Sequence, residues 1–209
     1  MVWLFALPGD WILDDFSLLD PGFLSTLEWN RRPLAMLSFQ LDAAIFGLAP
    51  WAFRLGNIIL HAGAVQLCFR ALRRIGGPER ALLAAGIFAI HPLQAEPVLY
   101  VFARPVLLMG ALLWLALDRW LEGRYGWALG AFAFALLAKE EAVAFPVFLV
   151  GLHWANNGEK KALRWLAGMA LLSGLLLAST VLTTANIAGS GAGLQAGVAP
   201  LTYFATQPY

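Results

Sequence analysis

RALLAAGIFAIHPLQAEPVLYVFA, residues 80–103, decides the fold. It is an apolar run long enough for a bilayer crossing of about 20 residues, yet Pro92 and Pro97 sit inside it. A proline within a helix removes a backbone hydrogen bond and clashes with the preceding turn, so the run cannot be one continuous helix. A broken helix at membrane depth is tolerated only where it lines a cavity or packs inside protein. His91 and Glu96, which flank the break, are therefore candidate site residues. A polar re-entrant turn whose side chains merely satisfy the freed backbone is the alternative.

Further apolar stretches extend on both sides, at 50–72, 105–121, 125–138, 142–155 and 162–185. Residues 50–185 thus read as about six spans of ~20 residues. The 209-residue chain is 60% apolar and 13% charged, with a mean hydropathy of +0.70. Soluble domains lie nearer half apolar and a quarter charged, so a water-soluble enzyme is excluded. The single Cys68 excludes a disulfide scaffold. A net charge of +1 with dispersed basic residues argues against a nucleic-acid partner. The fold class expected is all-α, a polytopic transmembrane bundle within the lipid bilayer. The opening MVWLFALPGD has no basic start and meets acid at once, unlike a signal peptide. It reads as the stub of a span, making 1–209 one partial transmembrane domain.

Charge sets the expected orientation. Short basic loops hold Arg70, Arg73, Arg74 and Arg80, then Arg119 and Arg124, then Lys160, Lys161 and Arg164. Basic loops face the cytoplasm. That side then carries nine Lys/Arg against four acids, and the other side five against nine. The protein is expected in an inner or plasma membrane, or an ER-like one, with its polar site extracytoplasmic. The charge-free run 126–138 has 13 residues. At 1.5 Å each it covers only about 20 Å of a ~30 Å hydrocarbon core. Polar ends such as Lys139 and Glu140 must therefore enter the membrane edge, where a charge needs a wet or protein-lined cavity.

Residues 8–50 form the first outer loop. Pro21-Gly22 reads as a turn, and Asn30-Arg31-Arg32-Pro33 as a helix stop and restart. From Pro33 to Gly47, Leu34, Leu37, Leu41, Ala44, Ile45 and Leu48 recur at three- and four-residue steps, with Gln40 and Asp42 off that stripe. This predicts an amphipathic helix lying in the interface plane. Residues 186–209 read as a flexible outer segment. The GSGAG piece at 189–193 lacks the lysine of a phosphate-binding loop.

The candidate chemistry lies at the outer ends. Asp14 and Asp15 can bind a divalent cation or act as a general base; capping the next helix is the structural alternative. Arg104 stands where a guanidinium could hold a lipid-linked phosphate, or could pair with Glu96. Lys139 could hold phosphate, while Glu140 could bind sugar hydroxyls or balance the lysine. Arg54, Asn57 and His61 share one helix face, with His61 read as a hydrogen-bonding strut. The nine Trp read as interface belt and bundle packing.

Taken in order, DDFSLL (14–19), RRPLAMLSFQLD (31–42), FGLAPWAFRLGNIILH (46–61), HPLQAEPVLYVFARPVLLMGALL (91–113) and LLAKEEAVAFPVFLV (136–150) resemble a known set. They are similar to the polytopic glycosyltransferases of the GT-C fold, in particular the protein O-mannosyltransferase-like group that often carries TPR repeats. The resemblance covers about residues 10–155, and the ending LTYFATQPY is similar too. It implies sugar transfer from a polyprenyl-phosphate-linked donor to a protein, lipid or glycan acceptor on the extracytoplasmic side. It carries the acidic pair onto Asp14 and Asp15 as base or metal element, and donor binding onto Glu96, Arg104, Lys139 and Glu140, beside His91. Such enzymes have roughly a dozen spans, so a fragment of a longer protein is expected. A transporter or flippase is the competing reading, since broken helices and intramembrane charge suit it equally.

Overall fold

The computed structural model describes residues 2–20, 32–155 and 159–184. The Pro21-Gly22 turn, Asn30-Arg31 and the 186–209 segment lie outside the described residues. The described part is an all-α bundle: α1 Pro33–Phe46, α2 Pro50–Gly76, α3 Pro78–Ile90, α4 Ala95–Leu99, α5 Arg104–Leu121, α6 Tyr125–Ala138, α7 Phe145–Ala155 and α8 Leu163–Thr184. Short 3-10 helices fill the joints, among them Leu13–Leu19, Pro92–Gln94 and Glu140–Ala144. Pro33, Pro50 and Pro78 open their helices, where the missing N–H costs no intrahelical bond. Gly77, at φ +81°, ends α2 and starts α3. A side chain there would be strained, so glycine sets this sharp reversal.

Three described helical stretches are long and apolar enough to cross a membrane: Pro50–Gly76, Val101–Leu121 and Lys160–Thr180. A fourth is the pair Pro78–Ile90 and Pro92–Leu99, bent by 54°. The proline-containing run thus breaks where its sequence predicts. The six apolar stretches are not, however, six long helices. Run 125–138 yields a helix of 14 residues, and 142–155 is shared between a 3-10 turn and the 11-residue α7. The physical reason is that hydropathy marks what lipid accepts, whereas length depends on where Lys139, Glu140 and Pro146 interrupt the backbone ladder.

The core lies where α5, α6 and α8 meet. Ala116, Leu117, Ala128, Phe132, Ala135, Leu149 and Met169 are buried there. Three of these seven are alanines on α5 or α6, and small residues are how membrane helices approach closely. The outer surface is the reverse of a soluble protein's, with Leu82, Leu83, Ile87, Val147 and Leu171 each more than half exposed. Such a surface needs lipid around it.

On α1 the predicted stripe faces outward: Leu37, Leu41 and Ile45 are exposed. The opposite face, with Ala35, Phe39 and the off-stripe Asp42, packs on the bundle. α1 thus packs on the bundle through one face and leaves its predicted apolar stripe uncovered.

Ionic contacts sort into two ends. At one, Arg32 pairs with Glu140, Arg104 with Asp42, and Lys139 with Glu141. At the other, buried Asp118 joins Arg70, Arg74 and Arg119, while Lys161 meets Glu159. Each of these pairs joins residues that the charge map puts on one side.

Candidate active site

Asp14 and Asp15 lie in the first turn of the 3-10 helix Leu13–Leu19, where Asp15 also caps the start by accepting the Ile12 N–H. Neighbours in a 3-10 turn point about 120° apart, so the two carboxylates diverge. Asp15 is fully buried and accepts from the Phe102 N–H at 2.9 Å and the Ile12 N–H at 3.3 Å. Burial raises its pKa, against the lowering effect of these backbone donors and of Arg54. Asp14 is exposed and accepts the Tyr100 hydroxyl at 3.0 Å. Burial, then the bond to Asp14, raises the Tyr100 pKa, holding the phenol as a donor. Leu13, just before the pair, has φ +49°. A bulky residue there stores about 1–3 kcal/mol of strain, of the kind that persists where the surroundings fix a backbone for a purpose.

The proline break supplies the partner strand of contacts. After the turn Pro92–Gln94 and α4, Tyr100 sits at the junction into α5, its carbonyl accepting from Asn57 Nδ2 at 3.2 Å. Phe102 stacks on Phe39, which packs on Phe53, and Trp11 meets Phe53 edge-on. One aromatic cluster therefore ties the acidic turn, α1, α2 and the segment before α5 together.

Arg104 lies behind this cluster, 1% exposed. Its Nε donates to Asn57 Oδ1 at 2.8 Å, and its terminal nitrogens to the Phe53 carbonyl at 2.7 Å and Asp42 at 2.6 Å. The guanidinium also lies 4.6 Å over the Phe39 ring. The expectation that Arg104 grips a donor phosphate does not fit this placement. A fully enclosed cation whose donors already meet protein acceptors has no open side for an anion. Its partner is Asp42, not Glu96. Arg104 acts here by fastening α1 and α2 beside the acidic turn.

Lys139 and Glu140 do not balance each other. Glu140 receives two bonds from Arg32, at 3.0 and 3.2 Å, and this guanidinium holds its carboxyl below the usual range. Lys139 meets Glu141 at 2.8 Å. Glu96 is exposed on α4. His91 is exposed, and its Nδ1 accepts the Leu93 N–H at 3.2 Å, so it caps the turn after Pro92. The broken backbone leaves the Ala89 carbonyl without its helical partner, and Trp3 and His61 take it at 3.0 and 3.1 Å. His61 is thus the strut its depth predicts.

Among the described residues no group of three His, Cys, Asp or Glu side chains could hold a metal ion. The Asp14–Asp15 pair does not present two open carboxylates either, since Asp15 is fully buried while Asp14 is exposed. That donor set does not fit a metal-bridging pair. Tyr100 and Asp42 were not marked by sequence reasoning as parts of one site. Asp42 carried a signal, its place off the apolar stripe; Tyr100 carried none, because its partner Asp14 is 86 residues away.

No family model matches the chain, and no solved structure does. The chain is 41% identical over 127 residues, 54% of its length, to the protein O-mannosyl-transferase Tmtc2 of Drosophila melanogaster. It is 39% identical over 77 residues, 36% of its length, to human protein O-mannosyl-transferase TMTC2, and 32% over 79 residues, 38% of its length, to mouse TMTC3. These matches cover 14%, 9% and 9% of the three relatives, so the chain spans a small part of the length of each.

Proposed function

We propose that this chain is part of a membrane glycosyltransferase that moves a mannosyl group from a polyprenyl-phosphate-linked donor to a protein hydroxyl on the extracytoplasmic side. The observation that carries the reading is the division of labour within the acidic pair. Asp15 is buried and bonded to backbone, whereas Asp14 is open and oriented by Tyr100. The similarity to named O-mannosyl-transferases supports the reaction class.

Asp14 is the general base. Its carboxylate takes the proton of the acceptor hydroxyl as that oxygen bonds to C1 of the sugar. The bond from C1 to the phosphate oxygen breaks, and the lipid phosphate leaves with the electron pair. Developing negative charge needs a cation. Lys139 serves, because its partner Glu141 is half-exposed, and a solvated pair of this kind exchanges at little cost. Glu96, exposed on the short helix after the break, binds donor sugar hydroxyls. Asp15, Arg104 and Asp42 hold the scaffold.

The test is Asp14→Asn in the full-length protein, assayed for mannosyl transfer from lipid-linked donor to an acceptor peptide. A loss of about 10²–10⁴-fold is expected of a missing general base. Transfer at the unaltered rate, with matched expression, removes Asp14 from the mechanism.

A further inference from the structure

The end opposite the acidic turn holds a second feature, independent of the sugar-transfer reading. A groove of about 440 Å³ runs along the α5–α6 hairpin, walled by Leu112, Leu115, Trp127 and Phe134 and headed by Arg119 and Arg124. Its walls are open: Trp127 is 67% and Phe134 54% exposed.

Among the described residues, cations outnumber acids at its head. Around it Arg70, Arg74, Arg119 and Arg124 face only two acids, Asp118 and Glu122. Arg124 is half-exposed, meets Glu122 only at 3.9 Å and lies 5.6 Å over the Trp127 ring. Arg119 is already held by Asp118 at 2.8 Å and Glu122 at 2.6 Å, so Arg124 is the cation open to a ligand. An open arginine above an apolar slot, with a tryptophan at the boundary, matches a molecule with an anionic head and a hydrocarbon tail.

The geometry points to a binding site for one anionic phospholipid of the leaflet at the basic end, with its phosphate on Arg124 and an acyl chain along Leu112, Leu115 and Phe134. Gly130 lines the same groove, and a Cβ there would meet nothing within 4 Å. A side chain begun at that position enters open groove space.

The experiment uses the full chain reconstituted with phosphatidylglycerol or phosphatidylcholine carrying a photoreactive acyl terminus, followed by peptide mapping. The site predicts labelling within residues 112–134, with phosphatidylglycerol preferred. Arg124→Gln should cut that preference about fivefold, the effect of one cation on an anionic headgroup. Gly130→Leu should reduce labelling by both lipids. Equal labelling by the two lipids, labelling confined to other peptides, or no response to Gly130→Leu overturns the site. If Gly130→Leu lowers the thermal midpoint, Arg124→Gln decides alone: an unchanged lipid preference overturns the proposal.

Discussion

At the scale of single residues, the adjacent aspartates separate into two kinds of work, and substitution should separate them too. Asp14→Asn should leave the unfolding midpoint unchanged while cutting transfer about 10²–10⁴-fold. Tyr100→Phe removes the donor that orients Asp14, so kcat should fall about tenfold with KM unchanged, the scale of one hydrogen bond to a charged group. Asp15 behaves oppositely and follows pH. Its folded pKa is raised above the ordinary 3.8 by burial. The folded protein therefore binds this proton more readily than the unfolded chain, and the stability this group contributes is full below 3.8 and lost as pH climbs through the raised value. Asp15→Asn should flatten that decline in unfolding measurements across pH. Glu140 has the reverse sign: its pKa is depressed below 4.5 by Arg32. Its contribution is present above 4.5 and vanishes as pH falls through the depressed value, and Glu140→Gln should abolish that acid sensitivity.

Between elements, the fastening of α1 to the bundle rests on Arg104 and Asp42. Removing one member of a buried pair strands the other charge. Arg104→Ala should therefore cost about 3–5 kcal/mol of stability, read by chemical unfolding in detergent. The double variant Arg104→Met with Asp42→Leu should recover most of it, because apolar replacements avoid the desolvation that both ions suffer. The proline break works through the Ala89 carbonyl, which Trp3 and His61 satisfy together. The sequence marked the break and the helix stripe correctly, because proline chemistry and periodicity are local properties. It misassigned Arg104 because a guanidinium beside a proline at a span end looks the same whether it faces lipid phosphate or the Asp42 carboxylate.

For the molecule as a whole, the ion pairs named above keep to two ends, as the basic-loop pattern expects. With Cys68 buried and removed as Cys68→Ser, single cysteines at the exposed Lys160 and Glu141 should react with impermeant reagent from opposite sides of intact vesicles. Reaction from one side only would overturn the assigned topology.

The sequence by itself determined the membrane environment, the helical class, the position of the break and the polar character of one end. These follow from composition and spacing, which need no knowledge of neighbours. Only the tertiary structure decided which charges are open and which are enclosed. Asp14 differs from Asp15, and Lys139 from Arg104, through partners contributed by distant segments: Tyr100, Phe102, Glu141 and Asp42. Burial and hydrogen-bond satisfaction are properties of packing, and packing assembles residues that the chain order keeps apart.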